Sequence, residues 1–209
     1  MEAAAAQLDV RWTGPSSRRG KVTDVILSIA EITEIERAYA LGAPTLGRAA
    51  AGLLARWQMP LRDIETFLRL AFLSWYRQNE PAWLTGLEEE LPTVEQLVEQ
   101  FGGEAALNAE ARFVLGWPIA YSVSLGDDVD RQPQAAREWV TQAAQLDPQS
   151  RVFREWRYWL RDTEETLGAR THIELELHAR FAGRGALGSY IEHMLRSRLR
   201  PDGHSRAAI

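Results

Sequence analysis

The chain has no cysteine. That removes disulfides, thiolate catalysis and cysteine-ligated zinc or iron–sulfur centres together. Lysine is almost absent as well: Lys21 is the single lysine among 24 basic residues. Biased base composition in the coding DNA yields an arginine-for-lysine pattern as readily as selection for nucleic acid does, so the arginines by count signal no partner. Histidine is limited to His172, His178, His193 and His204. No apolar run approaches the length that spans a bilayer. The start, MEAAAAQLDVRW, has no basic stretch ahead of its alanines, so no signal peptide is expected. These absences point away from a membrane and make the cytoplasm the default location. The chain also lacks a G-x-S-x-G elbow, an H-E-x-x-H pair and a P-loop lysine motif. No catalytic residue and no cofactor is assigned, and the balance leans against an enzyme.

What remains is an ordinary globular composition. The 209 residues are 45% hydrophobic and 25% charged, enough to bury a core without staples. The whole of 1–209 is expected to form one helix-rich domain. Its net charge of −5 conceals an asymmetry. Residues 80–147 carry 13 acids against 3 arginines, and residues 179–209 carry 6 arginines against 2 acids. The acidic middle and basic tail can attract each other within a chain or between copies, although solvated faces of unequal sign explain them more simply.

Periodicity predicts an α+β fold, predominantly α-helical, with about seven helices around one core. Residues 61–78 carry Leu61, Ile64, Phe67, Leu68, Ala71, Phe72 and Trp75 at three- and four-residue steps, the strongest amphipathic pattern in the chain. Thr93 with Gln96 has capping-box spacing, and Gly102-Gly103 stops the helix that follows. A long helix after Gly103 is expected to kink or break at Gly116-Trp117-Pro118. Helices over 134–146 and 149–167 follow, the second closed by Gly168. A small sheet of two or three strands is expected from the N-terminal region and residues 172–181. Its candidate strands are Leu8–Thr13, Lys21–Ala30 and His172–Phe181, with 1–30 as a hairpin. A helix over 33–41 then follows the second strand. The rival for 21–41 is one helix from about Thr23.

The stretch 171–209 concentrates the candidate sites. THIELELHARF alternates like a strand. AGRGALG then sets Gly183, Gly185 and Gly188 at G-x-G-x-x-G spacing, with Arg184 between them, and a basic helix closes the chain. Strand, glycine turn and helix is the order in which backbone N–H groups cradle a phosphate. The unit lacks a second strand and a ribose-binding acid, so the glycines serve first as turn formers. On a strand, His172, Glu174, Glu176 and His178 share one face and offer metal-ligand chemistry. Their ends lie about 20 Å apart at roughly 3.3 Å per residue, too far for one ion. A solvent-facing polar row is the better account. The Asp127, Asp128 and Asp130 loop lacks the calcium-loop pattern. The basic tail Arg196, Arg198 and Arg200 suggests nucleic acid only weakly, as does the Arg/Trp pattern over 151–161, whose aromatics fall on a core-facing stripe.

The leading functional expectation is a non-enzymatic interaction, adaptor or regulatory protein, binding another protein or itself through a helical surface. A phosphate- or nucleotide-binding regulatory domain using Gly183–Gly188 comes second. Nucleic-acid binding through the C-terminal helix comes third.

Overall fold

A computed structural model describes residues 26–60, 62–119, 134–159 and 165–199, and every statement below concerns those residues. Ten α-helices occur among them, with one 3-10 turn and one π turn. The N-terminal helices are α1 (Ile29–Ala40), α2 (Leu46–Trp57), α3 (Ile64–Asn79), α4 (Ala82–Thr85) and α5 (Val94–Phe101). Then come the 3-10 turn Glu104–Ala106, α6 (Ala109–Val114) and the π turn Leu115–Ile119. Last are α7 (Gln134–Leu146), α8 (Arg151–Trp159), α9 (Glu165–Phe181) and α10 (Gly185–Leu199).

No strand occurs among the described residues, so the expected small sheet is corrected to helix. Residues 172–181 lie inside α9. The alternation of THIELELHARF is real, but a four-residue rhythm runs through the same letters. Ile173, Leu177 and Phe181 are all fully buried, whereas Leu175, which a strand would place beside them, is 65% exposed. Spacing by four selects one helix face, and packing of that face decides the conformation. Gly168, expected as a stop, lies within α9. The second strand fails at its described end. Ser28 is extended and caps α1, accepting a hydrogen bond from the Glu31 amide while the Glu31 carboxylate accepts one from the Ser28 amide. Ile29 and Ala30 are therefore helical. Leu8–Thr13 and residues 21–25 lie outside the described residues.

Other expectations hold in form. Helix α3 begins at Ile64 because Asp63 accepts from the Thr66 amide, and Thr66 through Trp75 are all buried. The Thr93–Gln96 capping box opens α5, which ends at Gly102. The break at Gly116-Trp117-Pro118 takes the form of the π turn. Proline supplies no amide there, and a widened turn absorbs the missing bond.

In the packing, α1, α2, α3 and α5 form one run of neighbours, and α6, α7, α8 and the π turn form another. Helix α9 packs on α8, and α10 then returns to α1 and α3. Gly52 lets α2 approach α1 closely: a Cβ there would lie 3.1 Å from Leu27 and 3.3 Å from Ile32. Aromatic rings mark the core. Trp57, Phe67 and Phe101 stack in one group. Phe113 contacts Trp117, Phe153 and Phe181 in another.

Candidate functional site

The site grows from the turn between α9 and α10. Gly183 and Gly185 adopt φ of +75° and +59°, the left-handed region that glycine enters without strain. The Arg184 amide bonds the Phe181 carbonyl, and α10 starts at Gly185. Gly188 faces the same turn, and a Cβ there would collide with the Phe181 carbonyl. The G-x-G-x-x-G spacing is thus satisfied by a tight helix-to-helix junction.

An anion sits at the N-terminus of α10, and it belongs to the chain itself. Glu36 of α1 is 1% exposed. Its Oε2 accepts from the Ala186 amide at 3.2 Å and from Arg69 Nη1 at 2.8 Å. A Cβ on Gly185 would fall onto that carboxylate, so only glycine lets the backbone come this close. Arg69, 2% exposed in α3, also bonds Thr33 Oγ1 at 2.9 Å and Glu65 Oε1 at 2.7 Å. Arg184 continues the network. Its guanidinium engages Glu65 Oε2 and reaches Glu110 Oε1 at 2.6 Å, with its face over the Phe181 ring. Three carboxylates and two guanidiniums therefore join α1, α3, α6 and α10.

Burial sets the electrostatics. Desolvation drives the Glu36 pKa up to about 7, against the opposing pull of Arg69 and the Ala186 amide. Burial pushes Glu65 the same way, but hydrogen bonds and charge from Arg184 and Arg69 prevail and hold it below the ordinary carboxylate value. Arg184 is raised: desolvation would lower it, and Glu65 and Glu110 overcome that.

The junction forms one end of a cleft of about 460 Å³ between α1, α3 and α10. Tyr39, Phe72, Tyr76 and Tyr190 wall it, with Glu36 at its base and Arg37, Ser189 and His193 at its exposed mouth. The Tyr39 and Tyr76 hydroxyls share a hydrogen bond of 2.9 Å. Tyr76 stacks on Phe72 and meets Tyr190 edge-on. Burial raises the Tyr190 pKa, and the charge of Glu80 adds to it. Tyr76 rises for the same first reason, helped by Tyr39 and Glu80. Both phenols stay neutral in ordinary conditions.

The sequence-derived site residues separate in space. Gly183, Gly185 and the network partner Arg184 come together at the cleft. His172 and Glu174 are exposed on α9 and Glu176 is half-buried. Glu176 accepts from the Arg151 amide at 2.8 Å and from Arg180 Nε at 2.9 Å. His178 lies 3.6 Å from Glu192. No cluster of three metal-ligating side chains occurs among the described residues. Arg196 pairs with Glu192 at 3.0 Å; Arg200 lies outside the described residues, as do Asp127, Asp128 and Asp130. No helix among the described residues is long and apolar enough to cross a membrane.

Sequence reasoning missed the tyrosine walls and the Glu36–Arg69 pair. A signal for the pair was present. Glu36 falls on the apolar face of α1 with Ile29 and Ile32, and Arg69 interrupts an otherwise apolar run in α3. A charge at a core position calls for a buried partner. The tyrosines carry no such mark, since three distant helices contribute them. Compared with known proteins, the chain matches no family model, no curated protein and no solved structure.

Proposed function

We propose that this is a non-enzymatic interaction protein that receives a partner protein in the cleft between α1, α3 and α10. The supporting observation is the cleft itself: a concave, aromatic-walled surface with a few convergent polar groups, the character of a recognition site. Aromatic side chains supply large, rigid contact area at small entropic cost. Ser189 and His193 stand one turn apart on α10 at the mouth, but among the described residues no hydrogen bond joins them and no cluster of metal ligands occurs, which favours binding over chemistry. The phosphate and nucleic-acid readings draw less support. The Ala186 amide and Arg184 guanidinium that a phosphate would use are engaged by carboxylates, and Arg196 is paired.

Site-specific photo-crosslinking tests this. A benzophenone amino acid at Ser189, exposed at the mouth, is expected to capture a discrete partner in the source cell. The same group at Ala105, exposed on the 3-10 turn, is not. A product of twice the chain mass would make the partner a second copy. Equal labelling from both positions, or none from Ser189, would remove the proposal.

A further inference from the structure

Resting on that reading, we propose that the cleft receives a basic side chain, lysine or arginine, presented by the partner protein. Ring and charge chemistry point the same way. The half-buried Tyr39, Tyr76 and Tyr190 line the space, with Phe72 buried behind Tyr76, and aromatic rings attract ammonium and guanidinium groups that carry an apolar stem. The Tyr39 and Tyr76 hydroxyls bond each other, and each phenol oxygen keeps acceptor capacity for an incoming N–H donor.

The charge beneath the cleft is negative. Glu36, Glu65 and Glu110 pair with two guanidiniums, Arg69 and Arg184. With Glu36 ionised, above its raised pKa of about 7, the five groups carry a surplus of one negative charge, and an approaching cation favours that ionised form. Glu80 extends the negative field across Tyr76 and Tyr190. At the mouth, Arg37 is held by Glu34 at 2.7 Å and its charge is locally balanced. An anion entering would meet Glu36, and the guanidiniums behind it, Arg69 and Arg184, are committed to carboxylates. A purely apolar group would gain nothing from the field. A basic side chain uses both the rings and the charge, and the volume is within the range of ligand pockets.

The test uses the full chain with 3-fluorotyrosine at its tyrosines and fluorine NMR, the resonances assigned by single Tyr→Phe variants. The probes are acetylated, amidated tripeptides, Ala-Lys-Ala and Ala-Arg-Ala, against the same peptide with norleucine or glutamate at the centre. Free butylammonium is the fifth probe. The basic peptides are expected to shift Tyr76 and Tyr190 saturably and at least about tenfold more tightly than norleucine. The glutamate peptide should leave both unmoved. Glu36→Gln should weaken the basic peptides several-fold. Because that variant touches a buried pair, Glu80→Gln, at the end of α3 and outside the cleft lining, provides an independent reading and should weaken them as well. Equal binding of norleucine, tighter binding of glutamate, or no shift with any peptide overturns the inference. Butylammonium binding without the peptides overturns the assignment to a protein side chain. Capture at Ser189 with no preference for basic peptides leaves the interaction reading standing and removes this one. Absence of both removes both.

Discussion

Two helix N-termini in this fold are held by a glutamate from a distant helix, itself gripped by an arginine. Glu36 accepts from the Ala186 amide near the start of α10 and pairs with Arg69. Glu176 accepts from the Arg151 amide at the start of α8 and pairs with Arg180. The chemistry is the same: a carboxylate meets orphan amides and the positive end of the helix dipole. The surroundings differ. The Glu36–Arg69 side chains are 1% and 2% exposed, while those of Glu176 and Arg180 are 22% and 27% exposed. Water shares the second junction and not the first. Burial turns the same motif from a modest local cap into a seam on which three helices depend, and it places a carboxylate of unusual pKa beneath an open cleft.

Breaking each arginine partner separates the two most sharply. Arg69→Met leaves Glu36 buried without its counter-charge and should cost about 3–5 kcal/mol, read by denaturant unfolding. A variant losing less than about 1 kcal/mol would show that the seam is not structural.

Proton linkage comes next. The folded-state pKa of Glu36, about 7, lies above the ordinary 4.5. Between those values the native state binds more protons than the unfolded chain. Its contribution therefore favours the fold at low pH and is lost as pH rises from about 4.5 to 7. The total is on the order of 3 kcal/mol. Glu65 and Asp63 act oppositely: their pKa values are depressed, and their contributions are lost only as pH falls below the ordinary carboxylate range. Unfolding of Glu36→Gln across pH 4.5–7 should lack the downward slope that the unmodified chain shows. Identical slopes in the two proteins would count against the buried carboxylate.

Gly185→Ala should cost about 2–3 kcal/mol, because the methyl meets Glu36 and the residue holds a left-handed φ. Gly183→Ala shares the positive φ, +75° against +59°, but has nothing within 4 Å, so about 1 kcal/mol is expected. The difference between the two isolates the contact with Glu36. The exposed junction gives a smaller effect than the buried one. Arg180→Met should cost about 1–2 kcal/mol, counting two screened ion pairs, to Glu176 and Asp147, and the contact of its guanidinium with the Phe153 ring.

What the sequence made legible follows from range. Short-range devices were readable. The Thr93–Gln96 box, the run of apolar residues in α3 and the glycine turn at Gly183–Gly185 each depend on neighbours within four residues. The Ser28–Glu31 box was equally local but was masked by a Val/Ile-rich stretch that suggested a strand. In α9, alternation over ten residues concealed the Ile173–Leu177–Phe181 face, because only packing against α8 and α10 decides which period counts. The cleft was not legible. Glu36, Arg69 and Ala186 are joined by contacts spanning 33 and 150 residues, and no local pattern encodes them. The glycine spacing led to the expectation of a helix after the turn, and α10 starts at Gly185; the carboxylate at its start comes from α1, 150 residues away.

The most direct measurement follows the Ala186 amide by NMR through a pH titration and then through addition of inorganic phosphate. If Glu36 holds the N-terminus of α10, the amide shift will titrate near pH 7, the titration will vanish in Glu36→Gln, and phosphate will leave the resonance in place. An amide that ignores pH across that range but moves saturably with phosphate would contradict the central claim, and would return the Gly183–Gly188 loop to an external ligand.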